Sequence, residues 1–144
     1  MINEKVRVLI LSSASPDVAE GGAVLAALFR ERGIEVAERK AAATLIPNLA
    51  PFDLLVFGAR PDEDLAGGDF RELNRSCKGV SFAGRWAAFY SPAAGPVFGA
   101  LKKMLADTEI RFIDAPLVLG AGADKPTGAS AWCECALKAV AGQL

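Results

Sequence analysis

Five apolar runs divide the chain, each followed by a polar or glycine-rich turn. VRVLIL (Val6 to Leu11) is apolar almost throughout, as a strand covered on both faces must be. LLVFG (Leu54 to Gly58) and WAAFY (Trp86 to Tyr90) read the same way. Ile34 to Glu38 is a shorter second strand. Ile110 to Leu119 holds a fifth, interrupted at Pro116. Between the runs the period becomes helical. From Pro16 to about Arg32, the residues Gly22, Leu25, Ala26 and Phe29 share one face. Ser15 is placed to cap this helix, Pro16 suits its first position and Gly33 ends it. Gly21 and Gly22 weaken the first turns by roughly 1 kcal/mol each. Either they let the helix lie close to the sheet, or the helix starts after them.

The remaining segments follow the same grammar. Residues 41–51 form a connection with two prolines. Asp69 is placed to cap a short helix, FRELNRS, and Lys78 to Gly84 is a turn region. Val97 to about Ala106 is a helix with Val97, Leu101 and Met104 or Leu105 inward. The loop GAGADKPTG leads to a last helix from about Ala129 to Val140. Strands that alternate with helices predict an α/β fold, a parallel sheet with helices on both faces. With no repeat or linker, the expectation is one domain over residues 1–144.

Composition narrows the function classes. Hydrophobic residues make up 52% and the net charge is −1, without long runs of one sign, so nothing points to nucleic acid or a membrane surface. No apolar segment is long enough to span a bilayer or to serve as a signal core, and a cytoplasmic location is the expectation. The three cysteines, Cys77, Cys133 and Cys135, make no disulfide framework. Histidine is absent, which removes the commonest general base and the commonest zinc ligand.

In an open parallel sheet, ligands bind beyond the carboxyl ends of the strands where strand order reverses. Three loops qualify: SSASPD after the first strand, GARPDED after the third and YSPAAGP after the fourth. They converge if the strand order is 2-1-3-4-5. Here the chain resembles the flavodoxins, both the short-chain proteins and the flavodoxin domains of flavodiiron proteins. LILSSASPDV stands where that family has a strand and a hydroxyl-rich loop. PFDLLVFGARPD, FAGRWAAFYSP, GPVFGALKKMLADTEIRFI and KPTGASAWCECALKAVA resemble its later segments, so the likeness covers nearly the whole length. The resemblance implies a three-layer fold with a five-stranded parallel sheet in order 2-1-3-4-5. It also implies FMN as cofactor, electron transfer carried by the flavin ring, and a redox protein as partner. On that basis the candidate cofactor-binding residues are Ser12, Ser13, Ser15, Gly58, Ala59, Arg60, Tyr90, Ser91 and Gly95.

The first loop departs from the family pattern. The Ser/Thr-x-Thr-Gly-x-Thr motif falls on Ser13, Ala14, Ser15, Pro16, Asp17 and Val18. Ser13 and Ser15 keep hydroxyls, but Pro16 removes a backbone donor and Val18 a hydroxyl. Asp17 adds a carboxylate where the family holds a phosphate. At ~4 Å and an effective dielectric near 20, such a like-charge pair costs roughly 4 kcal/mol. Ser15, Pro16 and Asp17 also read as an ordinary helix start. For the ring, Arg60 and Tyr90 are the candidates. Arg60 stacks on a flavin or pairs with Asp62, Glu63 or Asp64; Tyr90 contacts the ring or ends its strand with the hydroxyl in solvent.

Other chemistry has less to work with. Cys133 and Cys135, two apart on a helix, point roughly 200° from one another, so they do not share a metal. One packs inward as a small apolar residue. Either Lys78 lowers the pKa of the Cys77 thiol or that thiol is idle, exposed or half-buried. Asp62, Glu63 and Asp64 read as a solvated loop. Three functions follow as expectations: an FMN-binding electron-transfer protein with a weakened phosphate loop, a flavin-free flavodoxin-like binding or scaffold module, and a small thiol or carboxylate enzyme.

Overall fold

The computed structural model describes residues 6–113, 115–119 and 125–142. Most of the loop expected at GAGADKPTG, residues 120–124, lies outside them. The elements in chain order are β1 (Arg7–Ser12), α1 (Pro16–Glu31), β2 (Glu35–Lys40), α2 (Ile46–Leu49), β3 (Leu54–Gly58), α3 (Arg71–Ser76), β4 (Trp86–Ser91), α4 (Val97–Met104), β5 (Arg111–Phe112), β6 (Leu117–Val118) and α5 (Lys125–Ala141). All strand pairs are parallel and the order is β2-β1-β3-β4-β5, with β6 also on β4. The expected α/β architecture and strand order are therefore present.

The central strands are apolar throughout because both their faces are covered. Leu9, Leu11, Leu55 and Phe57 face the layer of α2, α3 and α4; Val8, Ile10, Leu54 and Val56 face α1 and α5. Each such Leu or Phe contributes roughly 1.5–3 kcal/mol by leaving water. The edge strand β2, EVAERK, is charged and mostly exposed, a pattern that disfavours pairing of the sheet edge with another chain.

Helix α1 starts at Pro16 and includes Gly21 and Gly22, both buried. It ends in a Schellman motif. The Ile34 N–H donates to Phe29 O at 3.2 Å and the Gly33 N–H to Arg30 O at 2.9 Å. Gly33 takes φ +75°, the left-handed conformation that the motif requires.

Several boundaries differ from expectation. The connection 41–51 contains a 3-10 turn at Ala41–Ala43 and the one-turn α2. The fifth run is two short strands, so the break is wider than Pro116 alone. Helix α5 starts at Lys125, four residues before the expected Ala129.

Candidate functional site

Strand order sets β1, β3 and β4 side by side, so their carboxyl-end loops meet along one rim. Backbone bonds tie them together. The Ser13 N–H donates to Gly58 O at 3.1 Å, and the Ala59 N–H to Tyr90 O at 3.2 Å. The Val97 N–H donates to Pro61 O at 3.1 Å, joining the second loop to the third. Gly95 lies against that contact, and a Cβ there would come within 2.6 Å of Pro61. Ser12, Ser13, Ser15, Gly58, Ala59, Arg60, Tyr90, Ser91 and Gly95 are thus all at the carboxyl ends of three adjacent strands.

Side-chain direction then separates these residues. Tyr90 does not present its ring to the rim, nor its hydroxyl to solvent. It is fully buried, and its hydroxyl donates to Val18 O at 2.8 Å. The ring lies over Gly58, where a Cβ would stand 2.0 Å from Tyr90 Cζ, and against Gly21 and Gly22. Burial, then the charge of Glu38, pushes the Tyr90 hydroxyl pKa well above its ordinary value.

On the opposite side of the sheet, Ser13 and Ser91 are 1% and 0% exposed. Neither Oγ has a hydrogen-bond partner among the described residues. Ser15 occupies the N-cap position of α1, but its side chain makes no capping bond.

Arg60 takes the ion-pair option. Its Nε and Nη2 each reach Glu63 at 3.3 Å, and its N–H donates to Glu63 Oε1 at 3.1 Å. The Glu63 hydrogen bond and charge hold the guanidinium pKa above its ordinary value, with Asp62 and Asp69 adding to it. Glu63 is not a solvated loop residue: its side chain is only 2% exposed, and the pairing with Arg60 makes that burial tolerable. Among the three acids, Asp62 and Asp64 are exposed.

Asp69 does not cap α3. That helix has Phe70 at its N-cap and no side-chain capping bond. The Asp69 carboxylate instead accepts the Ala14 N–H at 2.7 Å, across 55 positions of sequence. Pattern reading named Glu63 among the partners of Arg60 but missed its burial, and it missed the contact of Asp69 with Ala14. The one signal for Glu63 is its i+3 spacing from Arg60, and the local helix-start pattern hides Asp69.

Two of the three cysteines, Cys77 and Cys133, are buried. Cys133 packs inward and Cys135 is exposed. Cys77 is buried deeper than expected, and burial pushes its thiol up to about 11, which fits the idle thiol and not a lowering by Lys78. Cys133 is pushed up to about 12, chiefly by burial. Among the described residues no group of three or more acids and cysteines could hold a metal, and no helix is long and apolar enough to cross a membrane. A separate groove of about 810 Å³ lies at the β5 edge, between Trp86, Phe112 and Trp132. Trp86 opens β4 at its amino end, so this groove is not part of the rim.

No family model matches the chain. No curated protein matches it in sequence. Solved structures do match its shape. Oxidised flavodoxin 2 from Bacillus cereus superposes with a TM-score of 0.79 at 11% identity, covering 96% of this chain and 100% of that one. A Fusobacterium nucleatum flavodoxin, solved bound to flavin mononucleotide, has a TM-score of 0.69 at 6% identity over 94% and 98%. Rubredoxin oxygen:oxidoreductase from Desulfovibrio gigas has a TM-score of 0.71 at 12% identity, covering 96% of this chain and 37% of that one. With the sheet order 2-1-3-4-5 and helices on both faces, these likenesses give the chain a flavodoxin-like fold.

Proposed function

We propose that this chain is a flavodoxin-fold binding or scaffold module whose carboxyl rim is closed by its own side chains, and that it carries no resident FMN. The observation that supports this most directly is the Ala14 N–H bonded to the Asp69 carboxylate at 2.7 Å. A flavin phosphate needs that N–H free and the charge gone. Pro16 supplies no N–H, and Asp17 adds a second carboxylate in the first turn of α1. The chain's own groups therefore do not fit a phosphate dianion. A ring would find no better reception, because Tyr90 is spent on the core and Arg60 on Glu63. The exposed Asp17, Asp62 and Asp64 suit the rim to a partner with a basic surface, bound more weakly as salt rises.

A second reading, FMN-dependent electron transfer with a redox partner, is favoured by the fold likeness and by the orphan hydroxyls of Ser13 and Ser91. Titration of FMN with the purified protein separates the two. The expected outcome is unquenched FMN fluorescence at micromolar protein and no flavin absorption in the protein as isolated. A yellow preparation, or quenching at equimolar FMN, overturns the first reading and establishes the second.

A further inference from the structure

Ala14 lies in the turn between β1 and the 16-residue α1, directly before the N-cap Ser15. Its N–H takes an acceptor from a distant segment, the Asp69 carboxylate. Asp69 gives up the ordinary use of an acid at its position, since α3 is left without a side-chain cap. Two further groups lie on the same rim. Arg60 is there, paired with Glu63, and the Asp69 charge is the smallest of those that raise its pKa. Ser13 continues the side-chain series of Leu9 and Leu11, whose layer includes Phe70, the residue after Asp69. Its hydroxyl is buried with no partner among the described residues. A loop N–H before a long helix and a buried hydroxyl donor next to it in sequence are donors that suit an oxyanion. The oxyanion present is the chain's own.

We infer that Asp69 is a built-in substitute for a tetrahedral oxyanion: its carboxylate holds the β1–α1 turn in a ligand-bound shape and so makes that shape independent of any ligand. The inference rests on the reading of the rim as self-closed. It goes further by assigning one residue the work of the missing anion. Removing the carboxylate frees the Ala14 N–H, next to the unpartnered Ser13, and inorganic phosphate or sulfate then takes its place.

The test compares thermal unfolding and phosphate calorimetry for the wild type, Asp69→Ala and Asp69→Asn, in sodium phosphate and in sodium chloride at equal ionic strength. Phosphate raises the stability of most proteins through its exclusion from their surface, so the reading is the difference between variants. Asp69→Ala is expected to melt below the wild type in chloride and to recover part of the loss in phosphate. It should bind phosphate on the order of tenfold or more tightly than the wild type, because one repulsive charge is gone and one donor is freed. Asp69→Asn keeps an acceptor for Ala14 without the charge. It is expected to melt close to the wild type, and it carries the comparison if the alanine variant does not fold. Equal phosphate responses in the wild type and both variants overturn the inference. So does an alanine variant that melts like the wild type and binds no phosphate. Neither measurement involves flavin, so failure here is distinct from failure of the FMN titration.

Discussion

The two sides of the sheet at its carboxyl edge carry opposite designs. On the α1 and α5 side, Ser12, Gly58 and Tyr90 form one register row across β1, β3 and β4. The Tyr90 ring covers Gly58 in that row and lies beneath Gly21 and Gly22, with its hydroxyl bonded to Val18 O. On the other side the next row is Ser13, Ala59 and Ser91: small residues, two of them with buried hydroxyls that have no partner among the described residues. One side is a packed plug in which every polar atom of the large residue is satisfied. The other keeps polar capacity that no described residue uses. The two should therefore respond oppositely to substitution, in stability on the plugged side and in binding on the other.

The largest effect is expected at Gly58→Ala. Its Cβ would stand 2.0 Å from Tyr90 Cζ, and the ring cannot retreat because α1 and the Val18 bond hold its far side. Overpacking of this kind costs about 3 kcal/mol or more. A urea unfolding midpoint measures it. Repeating Gly58→Ala in a Tyr90→Leu background sharpens the comparison, since most of the cost should vanish once the ring is gone. If the cost persists there, Gly58 serves the backbone rather than the ring, and the plug description fails.

Tyr90→Phe is the next step down. It removes one buried hydrogen bond and keeps the packing, so the loss is about 1 kcal/mol at neutral pH. Alkaline pH gives an independent check. The unfolded tyrosine loses its proton near 10.0, whereas the folded one holds it to higher pH. The stability from the neutral hydroxyl is therefore complete below pH 10 and declines as pH rises through and above that value. Cys77 and Cys133 act with the same sign from their ordinary 9.0 upward, because the fold raises them to about 11 and about 12. The wild type should lose stability with rising pH from about 9 onward. Tyr90→Phe should lose it less steeply above 10.0. Parallel curves for the two proteins would mean that the hydroxyl reaches solvent.

How much of this was legible in the sequence follows from the range of each interaction. The runs VRVLIL, LLVFG and WAAFY announce buried parallel strands because both faces of each must be apolar, a local property. Gly33 as a helix stop is equally local. Strand order is not; it came from the resemblance, and the fold agrees with it. The rim was legible as a place and less so in its contents. Gly21, Gly22 and Gly58 look like three unrelated glycines until Tyr90 is seen to need all three. Asp69 satisfies a helix-start pattern one residue from α3, so nothing local hints that it serves Ala14 across 55 positions. Glu63 sits in the polar run PDED, and only its pairing with Arg60 accounts for a side chain 2% exposed.

The smallest expected effect is on the polar side, and it tests the comparison most closely. Ser91 is at the end of β4, 0% exposed, and its Oγ has no partner among the described residues. An unsatisfied buried hydroxyl costs free energy, so removing it should not hurt. Ser91→Ala is expected to be neutral or to gain up to about 1 kcal/mol, and Ser13→Ala to behave likewise while its N–H bond to Gly58 O stays intact. Urea unfolding of both variants measures this. A loss of about 1 kcal/mol or more at either serine would mean that its hydroxyl is satisfied in the working protein by a group bound from outside the chain. The rim would then be an occupied site and not a self-closed one. Adding FMN and then phosphate to the two variants would identify that group: whichever ligand stabilises the wild type but not the alanine variant is the one the hydroxyl holds.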